Sequence, residues 1–366
     1  MKKYIDFDGK MAYSESTKTI KLKRVRHMIS MKELAQHCGV SVATVSKALN
    51  DQNDIGESTK IKVKNAAEKL GYYPNAAARS LKTNRSYNIG VLFVDEANSG
   101  LTHEYFAAVL EGFKVEAEKQ GYDITFINGQ IGKKKVSYYD HCKYRNVDGV
   151  VIACVKFDNP EVIDLLNGDI PVITIDHINE NCSSVLSDNI KGIQNLMEYV
   201  YEKGHRKIAY IHGQMSTTVT KARLTSYYRF LESQELSVPD DYVLEADYLD
   251  VSQAMACTRE LLDRKDPPTC ILYPDDTALI GGLNEIRARN LRVPDDISIA
   301  GYDGSRISQL LNPRLTTIRQ DTAEIGMQAA KKLISTIEKP KTTLTEQIIV
   351  EGELITGESV GNANIS

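Results

Sequence analysis

The chain has 366 residues, a length that suits two or three domains, and 42% of them are hydrophobic, enough for sizeable cores. Its net charge of −4 is unevenly placed: residues 1–85 hold 17 Lys and Arg against 8 Asp and Glu, while the remainder holds 28 against 41. A basic head on an acidic body points to a polyanion for the head alone, and the absence of a secretory segment or an apolar run of about 18 residues argues against export or a membrane span.

Residues 1–28 read as a polar extension, expected to be disordered, with a basic stretch Lys21-Leu-Lys-Arg-Val-Arg26. From Met31 to Asn50 the spacing predicts two short helices joined by a tight turn. Leu34, Ala35, Val40, Val45 and Leu49 fall on the faces that bury against each other. Gly39 stands where the first helix must stop and reverse, and Ser41 offers a hydroxyl to cap the second. Ser41, Val42, Ala43, Thr44, Ser46 and Lys47 stay outside that core, as short donors, small apolar groups and one cation. Such groups suit phosphates and base edges. A third helix is expected over residues 57–70, ended by Gly71. Pro74 blocks its continuation, and residues 75–82 read as a separate short helix capped by Asn75. Isolated helices shorter than ~12–15 residues are marginal in water, so this one needs a partner.

After residue 86 apolar runs alternate with amphipathic stretches. Strands are expected over 87–94, 122–127, 147–154, 172–175, 207–212, 269–273 and 297–301, with helices over 105–120, 192–203, 222–232, 253–263, 277–289 and 322–338. Near-continuous Val/Ile runs between helices argue for parallel sheets covered on both faces, with right-handed crossovers. There is too much of this pattern for one sheet, so two doubly wound α/β subdomains with a cleft between them are expected. Ligands in such folds bind outside the carboxyl ends of strands. Asp176, Asp275, Asp276, Arg223 and Tyr248 stand at those ends or in the adjoining loops. Carboxylates, a guanidinium fork and an aromatic face suit a polyhydroxylated ligand. Asp275 also reads simply as a helix N-cap. Cys38, Cys142, Cys154, Cys182, Cys257 and Cys270 have no metal-like spacing and read mostly as small core residues in a reducing cytoplasm. No metal and no cofactor are expected.

Three ordered motifs resemble the LacI/GalR family of bacterial regulators: Val40-Ser-Val-Ala-Thr-Val-Ser-Lys-Ala-Leu-Asn50, Gly71-Tyr-Tyr-Pro-Asn-Ala-Ala-Ala-Arg-Ser-Leu81 and Asn88-Ile-Gly-Val-Leu92. The resemblance runs from about residue 29 to 350. It implies an all-α helix-turn-helix head over 29–74, a hinge helix over 75–85 and an α/β periplasmic-binding-protein-like core. In that core, 86–188 plus 294–321 would form the first subdomain and 189–293 plus 322–355 the second. The chain would then cross between them near 188–189, 292–294 and 320–322.

The same resemblance assigns base contacts to Val42, Ala43 and Lys47. Ser41, Thr44, Ser46 and Asn50 are read as phosphate contacts, Asn75 and Ala78 as further DNA contacts, and Leu81 as a minor-groove wedge that kinks the duplex. Two such wedges require a homodimer on a palindromic double-stranded operator. By resemblance Asp276 and Arg223 align with effector-binding positions, Asp176 and Tyr248 with further pocket positions, and Tyr105 and Phe106 with aromatic pocket walls. By the same resemblance Thr217 or a neighbour stands where a purine-binding member has an additional cation, which leaves a sugar ahead as the effector. The implied protein is a repressor switched by that sugar, and not an enzyme, since no nucleophile elbow, phosphate loop or metal cluster is present. The rival readings are a purine-like corepressor, or control by a phosphorylated partner protein.

Overall fold

A computed structural model describes residues 4–5, 11–12, 29–73, 85–94 and 100–363. Asn75, Ala78 and Leu81, and with them nearly all of the expected hinge helix, lie outside the described residues. In the extension, where disorder was expected, Tyr4–Ile5 pairs antiparallel with Met11–Ala12. Tyr and Ile favour that pleated geometry. The chain divides into two compact units, residues 1–84 and 85–366.

The head contains α1 (Met31–Cys38), α2 (Val42–Leu49) and α3 (Glu57–Leu70). Each boundary follows from local chemistry. The Ser30 hydroxyl accepts from Glu33 N at 3.2 Å while Glu33 Oε2 accepts from Ser30 N at 2.7 Å, a reciprocal cap. Gly39 reverses the chain at φ +64°, a conformation that disfavours any Cβ. Ser41 Oγ then accepts from Thr44 N at 3.0 Å. Leu34, Ala35, Cys38, Val45, Ala48, Val63, Ala67 and Tyr72 form the buried core. Ala48 and Cys38 join it fully, whereas Val40 and Leu49 are only partly buried. Leu34 is 0% exposed, and Leu→Ala at such a site costs about 2–5 kcal/mol. A head this small is expected to melt at ambient temperature in Leu34→Ala, while calorimetry still records the transition of the second unit at its usual temperature. A single shifted transition would contradict this expectation.

The second unit holds two six-stranded sheets. The first has the order β11-β5-β4-β3-β1-β2, from Gln347–Val350, Ser183–Ser187, Val172–Ile175, Gly149–Ala153, Asn88–Phe93 and Asp123–Ile127, and all its neighbours are parallel. The second has the order β7-β6-β8-β9-β10-β12, from Val243–Glu245, Ile208–His212, Cys270–Leu272, Ser298–Asp303, Thr316–Arg319 and Glu353–Ile355. Its last pair alone is antiparallel.

Period-two alternation gives every sheet two apolar faces. Ile89, Val91, Val151 and Ile173 face α4 (Glu104–Lys119) and α11 (Thr322–Glu338), and Leu92, Val150 and Ile152 face α5 (Tyr138–Arg145) and α6 (Pro160–Leu166). The second sheet is covered by α7 (Asn189–Glu202) and α8 (Thr218–Ser233) on one side, and by α9 (Val251–Leu262) and α10 (Asp276–Ala288) on the other. Helices α4 and α11 cross closely: a Cβ on Gly326 would lie 2.1 Å from the Val109 carbonyl oxygen.

The apportionment of segments between subdomains is corrected. Residues 298–303 and 316–319 lie in the second sheet, while 322–338 and 347–350 belong to the first. The chain therefore crosses at 188, at 320–321 and at 351–352, and not at 292–294. The physical reason is polar strands. Ser183, Ser184, Ser187, Thr316 and Thr317 are buried without being apolar, so strands β5 and β10 leave no hydrophobic run to read. Their hydroxyls are satisfied internally: Thr174 and Ser184 share a hydrogen bond at 2.8 Å, and Thr317 Oγ1 accepts from Gly304 N at 3.2 Å.

Candidate functional site

In the head, the start of α2 is open. Ser41, Val42 and Ala43 are exposed, and Val42 keeps 44% of its surface. The hydroxyls of Ser41 and Thr44 lie 2.9 Å apart, beside the first free N–H groups of the helix, where an anion is favoured. Thr44, Ser46 and Lys47 are half-buried on the flank. Asn50 closes the helix by donating Nδ2 to Ser46 O at 2.7 Å. Lys47 is ion-paired with Asp54 in the loop after α2.

In the second unit, strand ends from both sheets converge. Asp176 follows β4 with φ +56°, which turns it out of the strand. Its Oδ2 accepts from Tyr105 Oη at 2.5 Å and its Oδ1 from Ser187 N at 3.3 Å. Its carbonyl accepts from Thr218 Oγ1 at 2.9 Å, across to the start of α8. Arg306 N donates to Glu104 Oε1 at 2.7 Å and makes a second bridge between subdomains. Phe106 packs edge-on against Tyr105, with centroids 4.9 Å apart, and against Phe93 at 6.0 Å.

Arg223 is 3% exposed. Its Nε donates to Asn189 Oδ1 at 2.7 Å, and a terminal nitrogen donates to Pro274 O at 2.8 Å. The guanidinium lies 3.5 Å over the Tyr302 ring, and its other terminal nitrogen stands 3.9 Å from Asp303 Oδ1. Tyr248 shares a hydrogen bond with Thr220 at 2.8 Å, and Arg223 acts electrostatically on it as on Tyr105 and Asp176.

Burial raises three carboxyls in this region. Asp176 is pushed up by burial against the opposing hydrogen bond of Tyr105. Asp303 is pushed up to about 7 by burial, against Arg223. Asp276 is pushed up to about 8, also by burial, against its Thr317 and Ser305 donors. Asp303 and Asp176 lie around one guanidinium and, with it, offer hydrogen-bonding groups suited to a ligand that carries several hydroxyls.

Of the residues expected from sequence, Tyr105, Phe106, Asp176, Arg223 and Tyr248 come together. Asp276 is placed differently. It is 1% exposed, beneath Gly301, and its Oδ2 accepts from Ser305 N at 2.7 Å and from Ser305 Oγ at 2.9 Å. It underpins the loop that carries Asp303. Asp275 is an N-cap, accepting from Ala278 N at 2.7 Å and from Leu249 N at 2.9 Å. Sequence reasoning missed Asn189, Tyr302, Asp303 and Gln320. The last donates to Asp303 Oδ1 at 2.6 Å. Asp303 was findable: it ends β9 as Tyr302-Asp303-Gly304, but the strand was expected to stop at 301.

Residues 30–75 match the family described as "Bacterial regulatory proteins, lacI family", and residues 197–360 match "Periplasmic binding protein-like domain". The chain is 32% identical over 336 residues to the "Probable HTH-type transcriptional repressor ExuR" of Bacillus subtilis (strain 168), covering 91% of this chain and 98% of that one. Among solved structures it resembles a transcriptional regulator CelR–cellobiose complex at 25% identity and a TM-score of 0.67, covering 90% and 99% of the two chains. It also shares the fold of a Lac repressor dimer bound to operator and the anti-inducer ONPF, at 22% identity and a TM-score of 0.75, covering 91% and 99%. The chain therefore belongs to the LacI family of bacterial regulatory proteins. It is a DNA-binding transcriptional regulator with a helix-turn-helix head and a two-subdomain effector core. Among the described residues, no helix is long and apolar enough to cross a membrane.

Proposed function

We propose that this chain is a cytoplasmic, homodimeric repressor whose affinity for a palindromic operator is set by a small sugar held between the two core subdomains. The observation that carries this reading is the convergence of Tyr105 and Asp176 from one subdomain with Arg223 and Asp303 from the other. A ligand in contact with both sets has a different affinity for each inter-subdomain angle, which is the requirement for control. Arg223, Asp303 and Asp176 would bind hydroxyls, Tyr105, Phe106 and Tyr248 would wall the sugar ring, and Asp276 would hold the Asp303 loop through Ser305. The complex of a relative with cellobiose supports a sugar.

On DNA, Val42, Ala43 and Lys47 would meet base edges, and Ser41, Thr44, Ser46 and Asn50 the phosphates. Residues 75–85 would act as the hinge, with Asn75 and Ala78 as further DNA contacts and Leu81 as wedge. The protein would not be a catalyst, because the core is collinear with a DNA-binding head as in the family's regulators.

The test is fluorescence anisotropy of the full chain on a duplex that it selects from a random pool, with and without a panel of neutral mono- and disaccharides. Saturable binding reversed by one sugar is the expected result. Tight binding indifferent to every sugar would overturn the effector assignment, and no selection of any duplex would overturn the head assignment.

A further inference from the structure

Resting on the reading of residues 75–85 as a hinge, we propose that Asp148 and Arg85 lock the root of that hinge to the first subdomain, so that a change of angle at the cleft reaches the hinge without slack. The joint lies where β1 begins. The Asp148 carboxylate, just ahead of β3, accepts from Ser86 N at 2.8 Å, from Ser86 Oγ at 3.0 Å and from Tyr87 N at 2.8 Å. Ser86 Oγ in turn accepts from Asn88 N at 3.1 Å. Tyr87 stands at φ +56°, a conformation that a bulky residue rarely adopts, and the charge-assisted bonds to its own N–H and to that of Ser86 hold it there. Arg85 reaches the other way. One terminal nitrogen donates to Ile337 O at 3.2 Å and to Glu338 O at 3.4 Å, and the other stands 3.8 Å from Glu338 Oε1. Those carbonyls end α11, where a cation is favoured.

Helix α11 connects this grip with the cleft. Its 17 residues span about 25 Å. At its other end Asp321 caps it by accepting from Glu324 N at 3.0 Å, next to Gln320, which donates to Asp303. A Cβ on Gly112 would lie 2.6 Å from the Ala323 carbonyl oxygen, so α11 and α4, the helix that carries Tyr105, lie backbone to backbone. Interiors packed this closely move as one body. The hinge root therefore belongs to a rigid unit whose far end is the effector site. Asp148 and Arg85 stand at the opening ends of the strands, opposite the cleft, and act through the backbone that they hold, as positioning residues. Without them the chain between residue 84 and β1 would turn about its own dihedrals and absorb the motion. The coupling of ligand to DNA is only as large as the difference that the two core states impose on the hinge, and a loose joint erases that difference.

The experiment compares the full chain with Asp148→Asn, Arg85→Gln and Arg85→Lys on a self-selected duplex and a random one, with and without the panel of neutral sugars. In Asp148→Asn an amide nitrogen replaces one acceptor and faces an N–H group. Binding to the selected duplex is expected to weaken by about tenfold, the size of one hydrogen bond to a charged group, while random-duplex binding and the core's melting temperature stay as in wild type. The factor by which a sugar changes operator affinity should shrink by about threefold or more, with the sugar's own affinity for the DNA-free chain intact. A merely structural role would instead lower the melting temperature and both duplex affinities together. Arg85→Gln should act in the same direction at a half-buried site, and it carries the test if Asp148→Asn melts early. Arg85→Lys still presents a cation to the helix end and should behave as wild type. Unchanged selected-duplex affinity and sugar factor in both Asp148→Asn and Arg85→Gln would overturn the proposal, as would equal weakening on the two duplexes. A wild type that selects a duplex but ignores every sugar would instead remove the effector reading, and the selected-to-random ratio in Arg85→Gln then decides the clamp.

Discussion

Arg223→Ala is expected to lower the melting temperature of the core by on the order of 10 °C and to abolish any effect of sugar on DNA binding. The guanidinium is buried between the Tyr302 ring and Asp303, and it donates to Asn189 and to the Pro274 carbonyl. Removing it leaves two acceptors without their donor, and leaves Asp303 and Asp176 without a cation. Breaking a buried pair from one side costs about 3–5 kcal/mol, and each kcal/mol corresponds to about 2–4 °C in a protein of this size. Protonation of Asp303, already poised at about 7, softens the loss. Arg223→Lys should not restore the response, because an ammonium can neither fork nor stack as the guanidinium does. A melt within 2 °C of wild type and a retained sugar response would remove Arg223 from the centre of the site.

The second large effect is on pH. Asp303 and Asp276 have folded-state values of about 7 and about 8, against 3.8 for an ordinary Asp. Between these limits the folded state holds protons that the unfolded chain has released, so stability falls as pH rises. Each group contributes a slope of about 1.4 kcal/mol per pH unit while the difference is complete. The loss begins above pH 4 and is finished a little above 8. On the acid side His141, His177 and His205, each lowered by burial, favour unfolding as pH drops below their ordinary 6.5. Glu285, held down to about 2 by Arg259 and Arg289, loses its contribution as pH falls from 4.5 towards 2. Denaturant midpoints should therefore peak in mildly acidic solution and decline towards pH 8.5. Asp276→Asn should flatten the alkaline limb, and an alkaline limb of unchanged slope would contradict the burial of this carboxyl as an acid.

The head was almost wholly legible in the sequence, because its signals are local: a serine cap, a glycine at positive φ and a 3.6-residue apolar period. The doubly wound class was legible for a similar reason, since Ile208–His212 and Gly149–Ala153 are apolar on both faces. What escaped depended on partners remote in sequence. Ser183–Ser187 and Thr316–Arg319 are strands through ladders to partners remote in sequence, with their hydroxyls satisfied on the way, and without them residues 298–319 were read into the wrong subdomain and the crossing at 351–352 was missed. In the site, Arg223 and Asp176 stood out as charges at strand ends. Asn189 and Tyr302 did not, because an amide opening a helix and a tyrosine in an apolar strand look like ordinary scaffold. Asp276 met the motif yet supports the loop from beneath, a distinction that only packing makes.

The exchange of strands β11 and β12 between the two sheets has a consequence for synthesis. Residues 347–350 complete the edge of the first sheet and 353–355 that of the second, with only 351–352 between them. Until residues 347–355 have been made, neither half of the core has its full complement of strands. The first also waits for α11, made more than two hundred residues after the β1 strand it covers. A nascent chain of this protein therefore emerges with two unfinished sheet edges, and a stop codon at position 346 would leave both halves open at once.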